Sequence, residues 1–163
     1  MFIFIKNSAR VAAALSVLLS PCVAYAEGHM ARGAINPATR AAPIFNQGEV
    51  VTAPTRCLTI AGQASLQTDP DAPFGVSTLH PGDMRAQMTE VLPNIDAVLE
   101  GAGMTRDDLT KLTVYVTDSG AALGNFDVLM GWLGDARPPQ SLVAISGLAI
   151  DGMDIEISAR AAK

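Results

Sequence analysis

Cysteine is nearly missing from this chain: Cys22 and Cys57 are its only two. Cys22 lies in a segment expected to be removed, which leaves Cys57 alone and rules out an internal disulfide. Beside Leu58 and Ile60, Cys57 reads as a buried strand residue. Nothing near it in sequence would lower its pKa, as the alternative of a reactive thiol requires. Histidine is equally scarce. His29 and His80 stand isolated in loop-like stretches and make no metal-ligand spacing, so neither a metal nor a His-based dyad is indicated. There is also no basic cluster. Residues 27–163 hold nine Lys and Arg against sixteen Asp and Glu, a formal charge of −7. With nothing to neutralise a row of phosphates, the balance argues against nucleic acid and anionic lipid as partners. Beyond residue 26 no apolar run is long enough to span a bilayer, no repeat is visible and no linker divides the chain.

The N-terminus, by contrast, is strongly patterned. Lys6 and Arg10 precede the apolar run Val11–Leu19, and Ala24-Tyr25-Ala26 places small residues where a signal peptidase reads them. This order predicts an export signal over residues 1–26, with cleavage before Glu27 and a periplasmic destination. A buried N-terminal helix does not account for it, and Pro21 weighs against Cys22 as a lipid anchor. The remaining 137 residues suffice for one domain with its own core.

Residues 27–42 are small, polar and aperiodic, and predict a flexible lead-in to a domain over 43–163. Residues 44–52 hold a Gln-Gly turn between β-prone pieces, and Cys57 to Gln63 alternates as a strand. Asp, Gly and Pro dominate residues 66–81, hence a loop. Asp83 can cap a helix to about Ala102, its apolar stripe running through Met84, Met88, Val91, Ile95, Val98 and Leu99. Gly103 suits the left-handed position that ends such a helix, while Pro93 inside it predicts a kink near Thr89–Leu92 without a break. Strands follow at Thr110–Thr117, 140–146 and 153–160, with a helix over 121–133 weakened by Gly124 and Gly131. The order β-β-α-β-α-β-β predicts an α+β sandwich, a mixed sheet with two helices on one face.

Several stretches together resemble the Rid (reactive intermediate deaminase, YjgF-like) family. They are IFNQG at 44–48, AGQ at 61–63, VLPNIDAVLEGAG at 91–103, DDLTKLTVYVTD at 107–118, Asn125, RPPQS at 137–141 and DIEISA at 154–159. The likeness covers about residues 42–162. It implies a chorismate-mutase-like fold, a homotrimer with ligand clefts between neighbouring subunits, no cofactor and a small-molecule ligand. In deaminating members an arginine grips the carboxylate of a 2-iminoacid, and a glutamate positions the water that hydrolyses the imine to a ketone and ammonia.

Carried over, the resemblance places Glu156 on the family's glutamate as the catalytic candidate. Gly62, with Gln63 after it, falls on the glycine that approaches the ligand, and Asn125 completes the match in the second helix. Phe45 keeps the ring of a usual tyrosine and lacks its hydroxyl. Gln140 stands where the carboxylate-binding arginine is expected, and Leu142 where cysteine is common. Glutamine offers neutral donors only and cannot reproduce a charged bidentate grip. The resemblance therefore implies an imine or enamine deaminase with weakened hold on carboxylates, or else a non-catalytic binding or chaperone-like trimer. Arg137 is read as structural, stiffened by Pro138 and Pro139, and Met84, Met88 and Met130 as core filling.

Overall fold

The computed structural model describes residues 29–37 and 43–163, so the export signal expected over 1–26 lies outside the described residues. Among these, eight strands form: β1 (Ala31–Ile35), β2 (Gly48–Thr52), β3 (Cys57–Gln63), β4 (Leu66–Thr68), β5 (Val76–Thr78), β6 (Leu109–Val116), β7 (Gln140–Ala144) and β8 (Ile155–Ala162). The helices are α1 (Met84–Gly101), α2 (Ser119–Gly124) and α3 (Phe126–Leu133).

Period-two alternation makes the main sheet two-faced. Its order is β3-β8-β6-β7, with β8 antiparallel to both neighbours and β6 parallel to β7. Ile60, Leu112, Val114, Val116, Ile155 and Ile157 point to one side and are buried against Met88, Val91, Ile95 and Leu99 of α1 and Leu129 and Leu133 of α3. Removing such side chains from water at roughly 25 cal/mol per Å² drives the assembly. The opposite face, with Thr59, Thr113, Tyr115, Glu156 and Ser158, is only partly covered, and the expected α+β sandwich with a mixed sheet is what forms.

Helix α1 starts and stops as its sequence dictates. The Asp83 carboxylate accepts from the Ala86 N–H at 2.9 Å, satisfying one orphan donor of the first turn. At the other end Gly103 takes φ +65°. Its N–H reaches the Glu100 carbonyl and the Met104 N–H reaches that of Leu99, both at 2.8 Å. The helix passes through Pro93 without a break.

Other expectations need correction. The single helix over 121–133 is two: Asn125, at φ −115° and ψ 15°, separates α2 from α3 and donates to the Ala121 carbonyl at 2.9 Å. Gly124 weakens the helix there, and the Asn side chain competes for its backbone. The loop expected over 66–81 contains the β4–β5 hairpin, whose three-residue strands are too short to show a period. Near its tip Phe74 sits at φ +67° and is 89% exposed. Within the lead-in expected to be flexible, Ala31–Ile35 pairs antiparallel with β2. The hairpin is pinned by charge: Arg32 contacts Glu49 at 2.6 and 2.9 Å and donates to the Leu109 carbonyl at 2.5 Å. Cys57 lies in β3 as expected but is exposed, because alternation puts it with Thr59 on the open face, opposite Leu58 and Ile60, which pack against the helices.

Candidate functional site

The sequence-derived site residues fall into two groups on opposite faces of one sheet. Glu156 on β8 is in register with Tyr115, between Ile155 and Ile157, both fully buried on the helix side. Its carboxylate therefore projects from the open face. Gly62 lies directly beneath it. A Cβ at that glycine would stand 2.0 Å from Glu156 Oε1 and 2.4 Å from its Cδ, so only a glycine admits the carboxylate in this position. The strand makes room by a register irregularity between Ile60 and Gln63, an extra residue that lets the backbone pass under the acid. Gln63 turns its amide back to the Ala61 carbonyl at 3.1 Å. Among the described residues no hydrogen bond or ion pair holds the Glu156 carboxylate, which leaves it available to a water or a ligand.

Gln140 behaves differently. Parallel pairing puts it in register with Leu112 and puts Leu142 in register with Val114, so both project to the helix side. There a cavity of about 360 Å³ is walled by Ile44, Phe45, Leu123, Phe126 and Leu142, with Gln140 at its edge. Phe45 reaches it because the Asn46 N–H is bonded to the Arg137 carbonyl at 3.0 Å, which fastens residues 44–46 beside β7. Gln140 Nε2 is buried without a hydrogen-bond partner among the described residues. A buried amide donor in that state costs about 1–3 kcal/mol, which an accepting ligand atom would recover. The pocket thus combines apolar walls with a neutral donor. An arginine at this position would have offered a charged fork to a carboxylate, and Gln140 offers none.

Asn125, expected at the ligand, is committed elsewhere. Besides its bond to Ala121, its Oδ1 accepts from Arg85 at 3.3 Å, so it organises the α2–α3 junction. Its neighbours Leu123 and Phe126 line the pocket instead. Arg137 is structural as expected, donating to the Gly134 and Ala136 carbonyls at 2.5 and 2.9 Å beyond the end of α3. Sequence reasoning missed Tyr115, which shares the open face with Glu156. The alternation of TKLTVYVT placed Tyr115 on that face, but only the β6–β8 register puts it opposite Glu156. It also missed the aliphatic walls Ile44 and Leu123, which carry no chemical signal of their own.

Comparison with known proteins agrees with this geometry. The family profile described as Endoribonuclease L-PSP matches residues 37–163. A RutC family protein of Pyrococcus abyssi is 33% identical over 104 residues, covering 64% of this chain and 76% of that protein. A RutC family protein of Pyrococcus horikoshii is 38% identical over 82 residues, 50% of this chain, a match that spans just under two thirds (64%) of that relative's length. Among solved structures, a conserved Rid-family protein of unknown function from Yersinia pestis superposes with a TM-score of 0.67 at 30% identity, covering 81% of this chain and 98% of that one. Among the described residues no helix is long and apolar enough to cross a membrane. The match over residues 37–163, the mixed sheet backed by helices and the Gly62–Glu156 arrangement together establish that the chain belongs to the Rid/YjgF-like family.

Proposed function

We propose that this chain is an exported, periplasmic Rid-family protein, assembled as a homotrimer, whose clefts take a small neutral or cationic ligand between neighbouring subunits. The trimer rests on membership of the Rid family, and the topology sets the condition under which it would complete the site. Glu156 and Gln140 occupy opposite faces of one sheet, so they share a pocket only when Glu156 of one protomer approaches Gln140 of the next. In that pocket Glu156 is the acid–base group for imine or enamine hydrolysis. It would draw a proton from water as the oxygen attacks the imine carbon, then return one to the departing nitrogen, releasing ammonia and a carbonyl product. The observation that carries the ligand class is the unpartnered Gln140 amide among apolar walls. It favours a carbonyl or another neutral acceptor over a carboxylate, and the unpaired Glu156 adds negative charge that repels a carboxylate further. The family description names an endoribonuclease, but nine basic against sixteen acidic residues over 27–163 speak against RNA as a substrate.

The test is ammonia release from freshly generated 2-iminobutanoate. We expect slow turnover that Glu156→Gln abolishes and Gln140→Arg raises on the order of tenfold, the worth of one charge-assisted contact. A rate that Gln140→Arg leaves unchanged would show that the amide does not limit carboxylate binding. A second reading, a non-catalytic binding trimer, is favoured by the same apolar pocket. It predicts that Glu156→Gln retains ligand capture in native mass spectrometry and that no turnover is measurable in either protein.

A further inference from the structure

Removal of the expected export signal would put His29 at a chemically distinctive place. Cleavage after Ala24-Tyr25-Ala26 leaves a chain that begins Glu27-Gly28-His29. Side-chain spacing offers His29 no metal-binding partner, but the backbone does. A histidine third from a free amino terminus ends a row of four nitrogens: the α-amine of Glu27, the amide nitrogens of Gly28 and His29, and the His29 Nδ1. Successive pairs of these nitrogens close two five-membered chelate rings and one six-membered ring around an ion, with all four donors in one plane. Square-planar nitrogen coordination suits Cu(II) and Ni(II), and Cu(II) heads the divalent affinity order. An amide nitrogen joins such a plane only by losing its proton, so each position must carry an N–H. Gly28 and His29 both do, whereas a proline at either would not.

The structure leaves His29 free for this role. Its side chain is exposed, and among the described residues neither its ring nor its backbone N–H makes a hydrogen bond. Regular pairing begins only at Ala31, opposite Thr52, so coordination at His29 breaks no bond of the β1–β2 ladder. No competing site exists among the described residues, where no group of three or more His, Cys, Asp and Glu could hold a metal. The four donors belong to one terminus, so each chain holds its own ion whether or not chains associate.

We infer that the processed chain carries a Cu(II) site at its new terminus, Glu27-Gly28-His29. It rests on the proposed export, because only cleavage before Glu27 frees the amine. It is independent of the proposed hydrolysis, since Glu156 and Gln140 supply none of its donors. Binding releases the two amide protons and that of the α-ammonium, so affinity rises with pH and collapses in acid. An additional residue ahead of Glu27 moves the amine out of the chelate and removes the site.

The full-length chain, produced in a bacterial host and purified after export, tests this. Intact mass gives the first residue, and Cu(II) is then titrated in the presence of glycine as a competing chelator, followed by visible absorption and electron paramagnetic resonance. We expect a chain of 137 residues starting at Glu27, a single equivalent of Cu(II) per chain, and a square-planar, four-nitrogen spectrum that disappears on acidification. His29→Ala should abolish that spectrum. Gly28→Pro should abolish it too, by deleting one amide N–H while the imidazole stays in place. A chain that starts at Glu27 but takes no Cu(II) from glycine, or keeps the spectrum in His29→Ala, overturns the metal site and leaves the export reading standing. A chain that starts elsewhere, or retains residues 1–26, overturns both.

Discussion

At the scale of single residues, the position of Glu156 depends on what is missing beneath it. Gly62 has no φ that demands glycine; its value is the space its absent Cβ leaves, because an added atom would lie 2.0 Å from Glu156 Oε1 and 2.8 Å from its Cγ. In Gly62→Ala the side chain of Glu156 must swing away, which costs little stability because its far end is flexible. We expect folding within about 1 kcal/mol of the parent in urea unfolding, together with loss of any activity that Glu156→Gln also removes. Full activity in Gly62→Ala would show that the carboxylate works from another rotamer. The acid and the glycine were legible through their motifs, DIEISA and AGQ, although their contact was not. A bulge between Ile60 and Gln63 brings them together, and neither motif encodes that register.

At the scale of elements, a polar clasp joins α1, the turn after it and α3. Asp96 on α1 accepts from Arg106 Nε and NH2 at 2.7 and 2.6 Å and from Trp132 Nε1 at 2.8 Å. Arg106 also lies 4.9 Å from the centre of the Trp132 ring, within cation–π range. Partial burial pushes the Asp96 carboxyl up, but the Arg106 hydrogen bond, the Trp132 N–H and the Arg106 charge outweigh it and hold the group below its usual 3.8. A carboxyl depressed on folding contributes stability above its unfolded pKa and loses it as pH falls through the folded value. With about a third of the side chain exposed, solvent screening limits the contribution. Asp96→Asn should therefore cost about 1 kcal/mol at neutral pH, keep that deficit down to about pH 4 and lose it as the solution is acidified further. Urea unfolding of both proteins between pH 7 and 2.5 checks this; a deficit that widens in acid would reverse the assigned sign. Helix α1 was readable almost to the residue, because Asp83, the apolar stripe and Gly103 state the same boundaries. The second helix was readable only as a region, since its apolar spacing runs on through Asn125 while the local competition of that side chain divides it. β1 left no periodic signal, being held by pairing to β2 and by Arg32 rather than by a buried face.

At the scale of the whole molecule, the sheet separates the two halves of the site. Fold class and family were open to sequence reading because period two and the ordered motifs survive without tertiary information, whereas the strand order β3-β8-β6-β7 was not. The face that Gln140 occupies was not legible, because Gln140 follows a proline pair and its direction is set by parallel pairing with Leu112. The account consequently requires that Glu156 and Gln140 meet between chains and never within one. Short-range crosslinking measures this directly. In a Cys57→Ser background, which removes the exposed native thiol, Glu156→Cys and Gln140→Cys are introduced together and treated with a short bis-maleimide at micromolar protein. The account predicts covalent dimers and trimers, absent from either single substitution; a product that stays one chain in mass, from a protein that sediments as a monomer, would contradict it.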